Sequence, residues 1–150
     1  MEEYLLDYTD FYGCSLKFKA RSNTLPLDYR TRHWSGNSDG ICNMCKDSNE
    51  DLRHFLFTCM SLNEIRTAEY LKVEMDLCNN GFSDVWISFI TSNLDMKLYI
   101  MLGYHLSITT PYRQSKDAHV AYDIIDKFCK SYLKRVWSVR SKIKIVANCT

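Results

Sequence analysis

Proline and glycine are scarce in this chain, two and five among 150 residues, and neither clusters. Proline fixes the backbone and removes a donor, and glycine loosens it. Their rarity excludes a linker-rich, collagen-like or loop-dominated chain. No internal repeat or low-complexity tract occurs, and with 46% hydrophobic and 13% aromatic residues there is enough apolar surface to fold. Long hydrophobic runs are missing as well. The most apolar window, Leu94 to Ile108, is broken by Asp95, Lys97, Gly103 and His105. It falls short of the roughly 20 apolar residues that cross a bilayer, so it reads as a buried helix and no membrane contact is expected. A basic, apolar leader is also lacking, since the first ten residues hold four acids and no base.

Acid is absent from the other end. From Lys127 onward there are seven Lys or Arg and no Asp or Glu. From Gly13 to Trp34 there are five bases, Lys17, Lys19, Arg21, Arg30 and Arg32, against Asp28 alone. The net charge is only +1, so charge here is uneven rather than large. Two basic segments point to a nucleic-acid partner, RNA or DNA. Basic residues late in a helix also favour its negative end and stay solvated, which is the plainer account of the second segment. The residues expected to meet phosphates are Lys17, Lys19, Arg30 and Arg32, with Lys130, Lys134 and Arg135 in the C-terminal run. Phe18, Tyr29, His33, Trp34 and Tyr112 are the aromatic side chains nearby that could stack on bases.

Cysteine is plentiful, seven in all. Three of them belong to ICNMCKDSNEDLRHFLFTC, where Cys42, Cys45, His54 and Cys59 form a Cys-x2-Cys-x8-His-x4-Cys array. A tight Cys-x-x-Cys turn puts two sulfurs on one side of an ion, about 2.3 Å from zinc, and a short helix returns a histidine and a third sulfur to it. The pattern predicts one Zn2+ in a closed Cys3His site, structural because no coordination position is open. A Cys42–Cys59 disulfide is the competing arrangement, and it leaves Cys45 and His54 without a purpose. The other four cysteines, Cys14, Cys78, Cys129 and Cys149, are scattered. Metal-bound and free thiols suggest a reducing, intracellular setting, cytoplasmic or nuclear.

Apolar spacing predicts a mainly α chain, a small zinc knuckle packed with an amphipathic helical bundle. Helices are expected over Glu2–Ser22, Glu50–Thr58 and Leu62–Cys78, the last with Ile65, Leu71 and Met75 inward. Further helices are expected from Ser83 as a cap, from Asn93 to before Pro111, and over Ser115–Lys144. The last carries a stripe of Ala121, Ile124, Ile125, Phe128, Tyr132, Val136 and Val139. This reading gives either two units, 13–68 with the knuckle and the helix before it and 69–150 as a helical C-terminal region, or a single domain that holds both.

The stretch from Ser15 to Arg66 carries a more specific pattern. SLKFKARSNTLPLDYRTRHW, CNMC, EDLRHFLFTC and LNEIR resemble the region after the polymerase domain in non-LTR retrotransposon reverse transcriptases. Those proteins show K-F-R-x-x-x-H-x-L-x-I-E-x-G-R, a Cys-x-x-Cys, E-D-E-x-H-F-L-x-x-C-P and a trailing L-R. Lys17, Phe18, Lys19 and Arg21 match the opening, Leu25, Leu27 and Arg32 the middle. Glu50, Asp51, His54, Phe55, Leu56 and Cys59 match the helix. Met60 stands in place of the proline, Asn23 in place of the histidine, and Asp28 and Thr31 where glutamate and glycine tend to be. The resemblance implies that Cys42, Cys45, His54 and Cys59 are the ligands of that family's zinc-binding segment. It also implies a place beside a polymerase thumb and a part in handling RNA or target DNA.

Tyr-x-Asp-Asp and paired endonuclease carboxylates are absent, and polymerases need such carboxylates to hold two metals. No catalytic residue is expected. Cys14 with His33, or Cys129 with His119, are the only nucleophile–base pairings to consider, and no flanking pattern supports either. The alternative to nucleic-acid binding is a structural fragment whose C-terminal stripe, left without its polymerase body, joins a second copy or another protein.

Overall fold

The computed structural model describes residues 10–33, 39–103 and 117–149. Expectations that fall on residues 1–9, on Trp34, His105 and Tyr112, or on the approach to Pro111, lie outside the described residues. The described chain is mainly α. Its longer helices are α1 (Phe11–Arg21), α3 (Asn63–Asn79), α4 (Ser83–Ile90), α5 (Leu94–Met101) and α6 (Asp117–Cys149), with a one-turn α2 at Asp28–Thr31. One isolated antiparallel bridge, Ile41 to Asn49, is the extended pairing among the described residues.

The helix ends have local causes. Asp10 caps α1, its carboxylate accepting the Gly13 amide at 2.9 Å, and Asn23 at φ 54° turns the chain out of it. Asn93 caps α5 as its position predicts, accepting the Met96 amide at 2.9 Å. Ser83 does not cap α4; Phe82 holds that position and makes no side-chain cap bond. The chain turns tightly here, with Gly81 at φ 83° and the Phe82 amide bonded back to Leu77 O at 2.7 Å.

The long C-terminal helix organises the core. Ala121, Ile125, Phe128, Tyr132 and Val136 are buried on it, with Ile124 and Val139 packed at the margin. Helices α1, α3 and α5 cover this face. The stripe expected to seek a partner is therefore filled by the chain itself, and it no longer argues for a second copy. Phe57, Tyr70, Phe89 and Phe128 meet edge-on, with centroids 5.5 to 6.5 Å apart.

Helix α3 departs from its expected face. Leu71 and Met75 are more than half exposed, and the buried positions are Arg66, Glu69, Val73 and Leu77. The inward stripe keeps helical spacing, but two of its four members are charged because each meets a partner. Glu69 takes Arg135 at 2.8 Å and Ser131 at 3.2 Å from α6. Arg66 donates to the Cys59 and Leu56 carbonyls, at 2.9 and 3.3 Å.

Candidate metal centre

The loop that carries the first two ligands is closed by backbone bonds. Gly40 enters it at φ 85°, against Tyr29, where a Cβ would sit 3.3 Å from the Tyr29 backbone. Only glycine suits both demands. The Glu50 amide then bonds Gly40 O, the Cys42 amide bonds Ser48 O, and the Lys46 amide returns to Cys42 O, each at 2.8 Å. Lys46 sits at φ 58°, a left-handed conformation that a glycine would adopt with less strain.

Asp51 starts the second half, accepting the His54 amide at 2.8 Å. From His54 to Thr58 the helix widens to a π turn, closed by the Cys59 amide on His54 O at 2.9 Å. Residues five apart on an α-helix point about 140° away from one another. The wider turn narrows that angle and brings Cys59 round to the side of His54. Single π turns recur at functional sites for reasons of this kind.

The result is convergence. The Cys42, Cys45 and Cys59 sulfurs and one His54 ring nitrogen lie within 4.8 Å of one another, a group able to hold a metal ion. Cys45 Sγ is 3.3 Å from His54 Nε2, and Cys42 Sγ is 3.8 Å from Cys59 Sγ, too far for a disulfide and with both thiols free. Cys42, Cys59 and His54 are buried, and Cys45 is half-buried.

Backbone amides aim at the sulfurs: those of Met44 and Cys45 at Cys42, of Asp47 and Ser48 at Cys45, and of Ser61 at Cys59. Amide donors favour thiolate over thiol. Burial opposes them, pushing the Cys42 thiol up to about 12 and raising Cys59. At Cys45 burial acts the same way, but the amides and the neighbouring thiols outweigh it and hold this group below its ordinary value. Burial also lowers His54 despite Asp51, Glu50 and Asp47, which favours the neutral imidazole a metal needs. A sulfur cluster with donors in place but no countercharge is relieved by a cation.

Several residues beyond the four complete the centre; Glu50 and Arg66 fall in the stretch that carries the resemblance, and Thr58 was not singled out. Thr58 Oγ1 lies 3.0 Å from His54 Nδ1, which orients the ring so that Nε2 faces the sulfurs. Its spacing of four from His54 was the available signal. Arg66 bonds Cys59 O at 2.9 Å and Leu56 O at 3.3 Å, and the Tyr132 hydroxyl also donates to Leu56 O. Glu50, almost fully buried, takes Arg140 of α6 through both oxygens, at 2.7 and 2.9 Å, and accepts the Asp28 amide at 2.8 Å. Asp28 in turn accepts Asn43 of the Cys-x-x-Cys turn at 2.8 Å and pairs with Lys144. Two polar networks thus fasten the metal-site loop to α6.

The residues expected to meet phosphates divide. Lys17 and Lys130 are corrections: both are buried and pair with Asp126, at 2.6 and 2.7 Å, so neither ammonium reaches a backbone in solvent. Lys134 pairs with Asp10 at 2.9 Å, and Arg135 with Glu69. Lys19 is exposed on α1, and Arg30 and Arg32 line a groove beside the metal site. Of the cysteines set against a histidine, Cys129 is fully buried, which pushes its thiol up to about 12, and Cys14 is buried. No helix among the described residues is long and apolar enough to cross a membrane. No protein-family model, curated protein or solved structure matches the chain.

Proposed function

We propose that the cluster holds one structural zinc ion and that the chain is a non-catalytic nucleic-acid-binding module. In this reading it derives from the zinc-binding region that follows the polymerase in non-LTR retrotransposon reverse transcriptases. The carrying observation is the convergence of Cys42, Cys45, His54 and Cys59 within 4.8 Å. Three thiolates and an imidazole suit zinc among common ions. Tetrahedral Zn–S bonds of about 2.3 Å imply sulfurs about 3.8 Å apart, and Cys42 and Cys59 stand at 3.8 Å. Four protein ligands leave no position for substrate, so the role of the ion is to hold the loop.

The resemblance from Ser15 to Arg66 supports the retroelement origin. The same stretch supplies the groups that build the centre: Glu50, Asp51, the four ligands and Arg66. Nucleic-acid binding rests on that resemblance and on Lys19, Arg30 and Arg32 in the basic segment beside the metal.

The experiment pairs metal analysis with a salt titration of labelled single-stranded RNA and DNA. One zinc per chain, with affinity falling as salt rises, is expected. A chain with zinc that binds neither strand at low salt, or binds with no salt dependence, removes the nucleic-acid role.

A further inference from the structure

A groove of about 570 Å³ runs between the end of α1, α2, α5 and the residues just before His54. Its volume matches that of small-ligand sites, and beside apolar side chains such as Leu27, Leu52 and Leu98 its walls carry charge. Arg21, Arg30, Arg32 and Arg53 all line it, against Asp51 and Asp95, four positive charges to two negative and so a local excess of +2. In the whole chain the excess is only +1. Both acids are engaged: Asp51 accepts the His54 amide at 2.8 Å, and Asp95 pairs with Arg53 at 2.8 Å. Four guanidinium groups against two carboxylates thus line one groove.

Two aromatic rings share these walls, Tyr29 from α2 and Tyr99 from α5. Arg32 lies over the Tyr29 ring, 3.8 Å from its centre, so guanidinium and ring form one flat platform. Tyr99 is 37% exposed and lines the groove from α5. Guanidinium groups recognise phosphate through paired donors, and aromatic rings take unpaired bases by stacking. Aromatic rings and guanidinium groups lining one groove suit unpaired nucleotides. A duplex hides its base faces and offers the rings nothing.

From this combination we infer that the groove binds a single-stranded nucleic-acid segment, with bases stacking on Tyr99 and the Tyr29–Arg32 platform while Arg21 and Arg30 contact phosphates. The inference deepens the proposed function and rests on it, but it commits to one face. The exposed basic residues of α6, Lys127 and Lys142, are then bystanders.

The test measures binding of a fluorescein-labelled single-stranded RNA of about 12 nucleotides, a length that spans one such site. The full chain is compared with three variants, each checked for unchanged metal content and circular dichroism. Arg21→Glu with Arg30→Glu should weaken binding about 10-fold or more at low salt and flatten the log–log salt slope by about 1.4, two single-strand phosphates' worth. Tyr99→Ala, a surface change, should weaken it about 5-fold or more with the slope unchanged. Lys127→Glu with Lys142→Glu should stay within about 2-fold, since only distant screened charge is altered. Wild-type binding that the groove variants leave intact overturns the groove assignment while the nucleic-acid reading survives. Loss in the arginine variant alone overturns the stacking assignment. No wild-type binding at low salt overturns both.

Discussion

Arg140 offers a direct probe of how α6 holds the metal-site loop. Its guanidinium is 5% exposed and donates to Glu50 twice, at 2.7 and 2.9 Å, and to Pro26 O at 3.1 Å. It also lies over the Trp137 ring, 4.8 Å from its centre. Arg140→Met keeps much of the stem and removes the charge. Glu50, 1% exposed, would then be left without its cation beside Asp28, itself 3% exposed and paired with Lys144. Breaking a buried pair from one side costs about 3–5 kcal/mol. A domain of this size has about 5–15 kcal/mol to lose, so the midpoint of urea unfolding should fall steeply. Replacing both partners, Arg140→Met with Glu50→Met, removes the stranded charge and should recover most of that loss. Urea titrations followed by circular dichroism on the two single variants and the double give the coupling directly. A single-variant cost below about 1 kcal/mol, or a double variant as unstable as the singles summed, would refute the reasoning.

Three further outcomes follow from the centre itself. Thr58→Val removes the partner of His54 Nδ1 while keeping shape, so metal affinity measured by chelator competition should drop about 10- to 100-fold with the fold intact; unchanged affinity contradicts the orienting role. Lys46 at φ 58° makes Lys46→Val destabilising by about 1–2 kcal/mol and Lys46→Gly neutral or mildly stabilising, read from thermal melts; the reverse order would exclude the left-handed turn. The third concerns pH: His54 is held below the ordinary histidine value of 6.5, so its neutral form is the folded one. Its contribution is complete above that value and is lost as pH falls from there toward the lowered folded value, with proton uptake on unfolding. The stability that His54 contributes should therefore be flat above neutrality and decline below it, and a stability that rises as pH falls through that acid window would be inconsistent with a buried neutral imidazole.

What could be read from the residue string depended on whether a side chain obeyed a simple rule. The Cys3His cluster was legible because Cys and His at those spacings have few other uses. The stripe from Ala121 to Val136 was legible because apolar residues inward is the general case, and Asn93 announced its helix as a capping residue. Arg66 and Glu69 broke that rule. They occupy the inward face of α3 because partners on the metal loop and α6 satisfy them, and Leu71 and Met75 were consequently placed inward when they face solvent. Lys17 and Lys130 were misjudged for the same reason, since Asp126 lies far from Lys17 in sequence and only packing of α1 on α6 brings them together. The π turn at His54–Thr58 and the groove through Arg21, Arg53 and Tyr99 depend on tertiary geometry that no local spacing encodes.

The metal content of the purified chain tests the zinc centre most directly. Structural zinc in isolated finger peptides contributes about 10–16 kcal/mol, as much as the whole stability of a domain. Protein isolated from zinc-replete cells should carry one zinc per chain, lose it in Cys42→Ser and His54→Ala, and become protease-sensitive around residues 40–60 when a chelator strips it. Wild-type protein that emerges without a bound ion, or that keeps its circular dichroism and protease resistance after chelation, would contradict it.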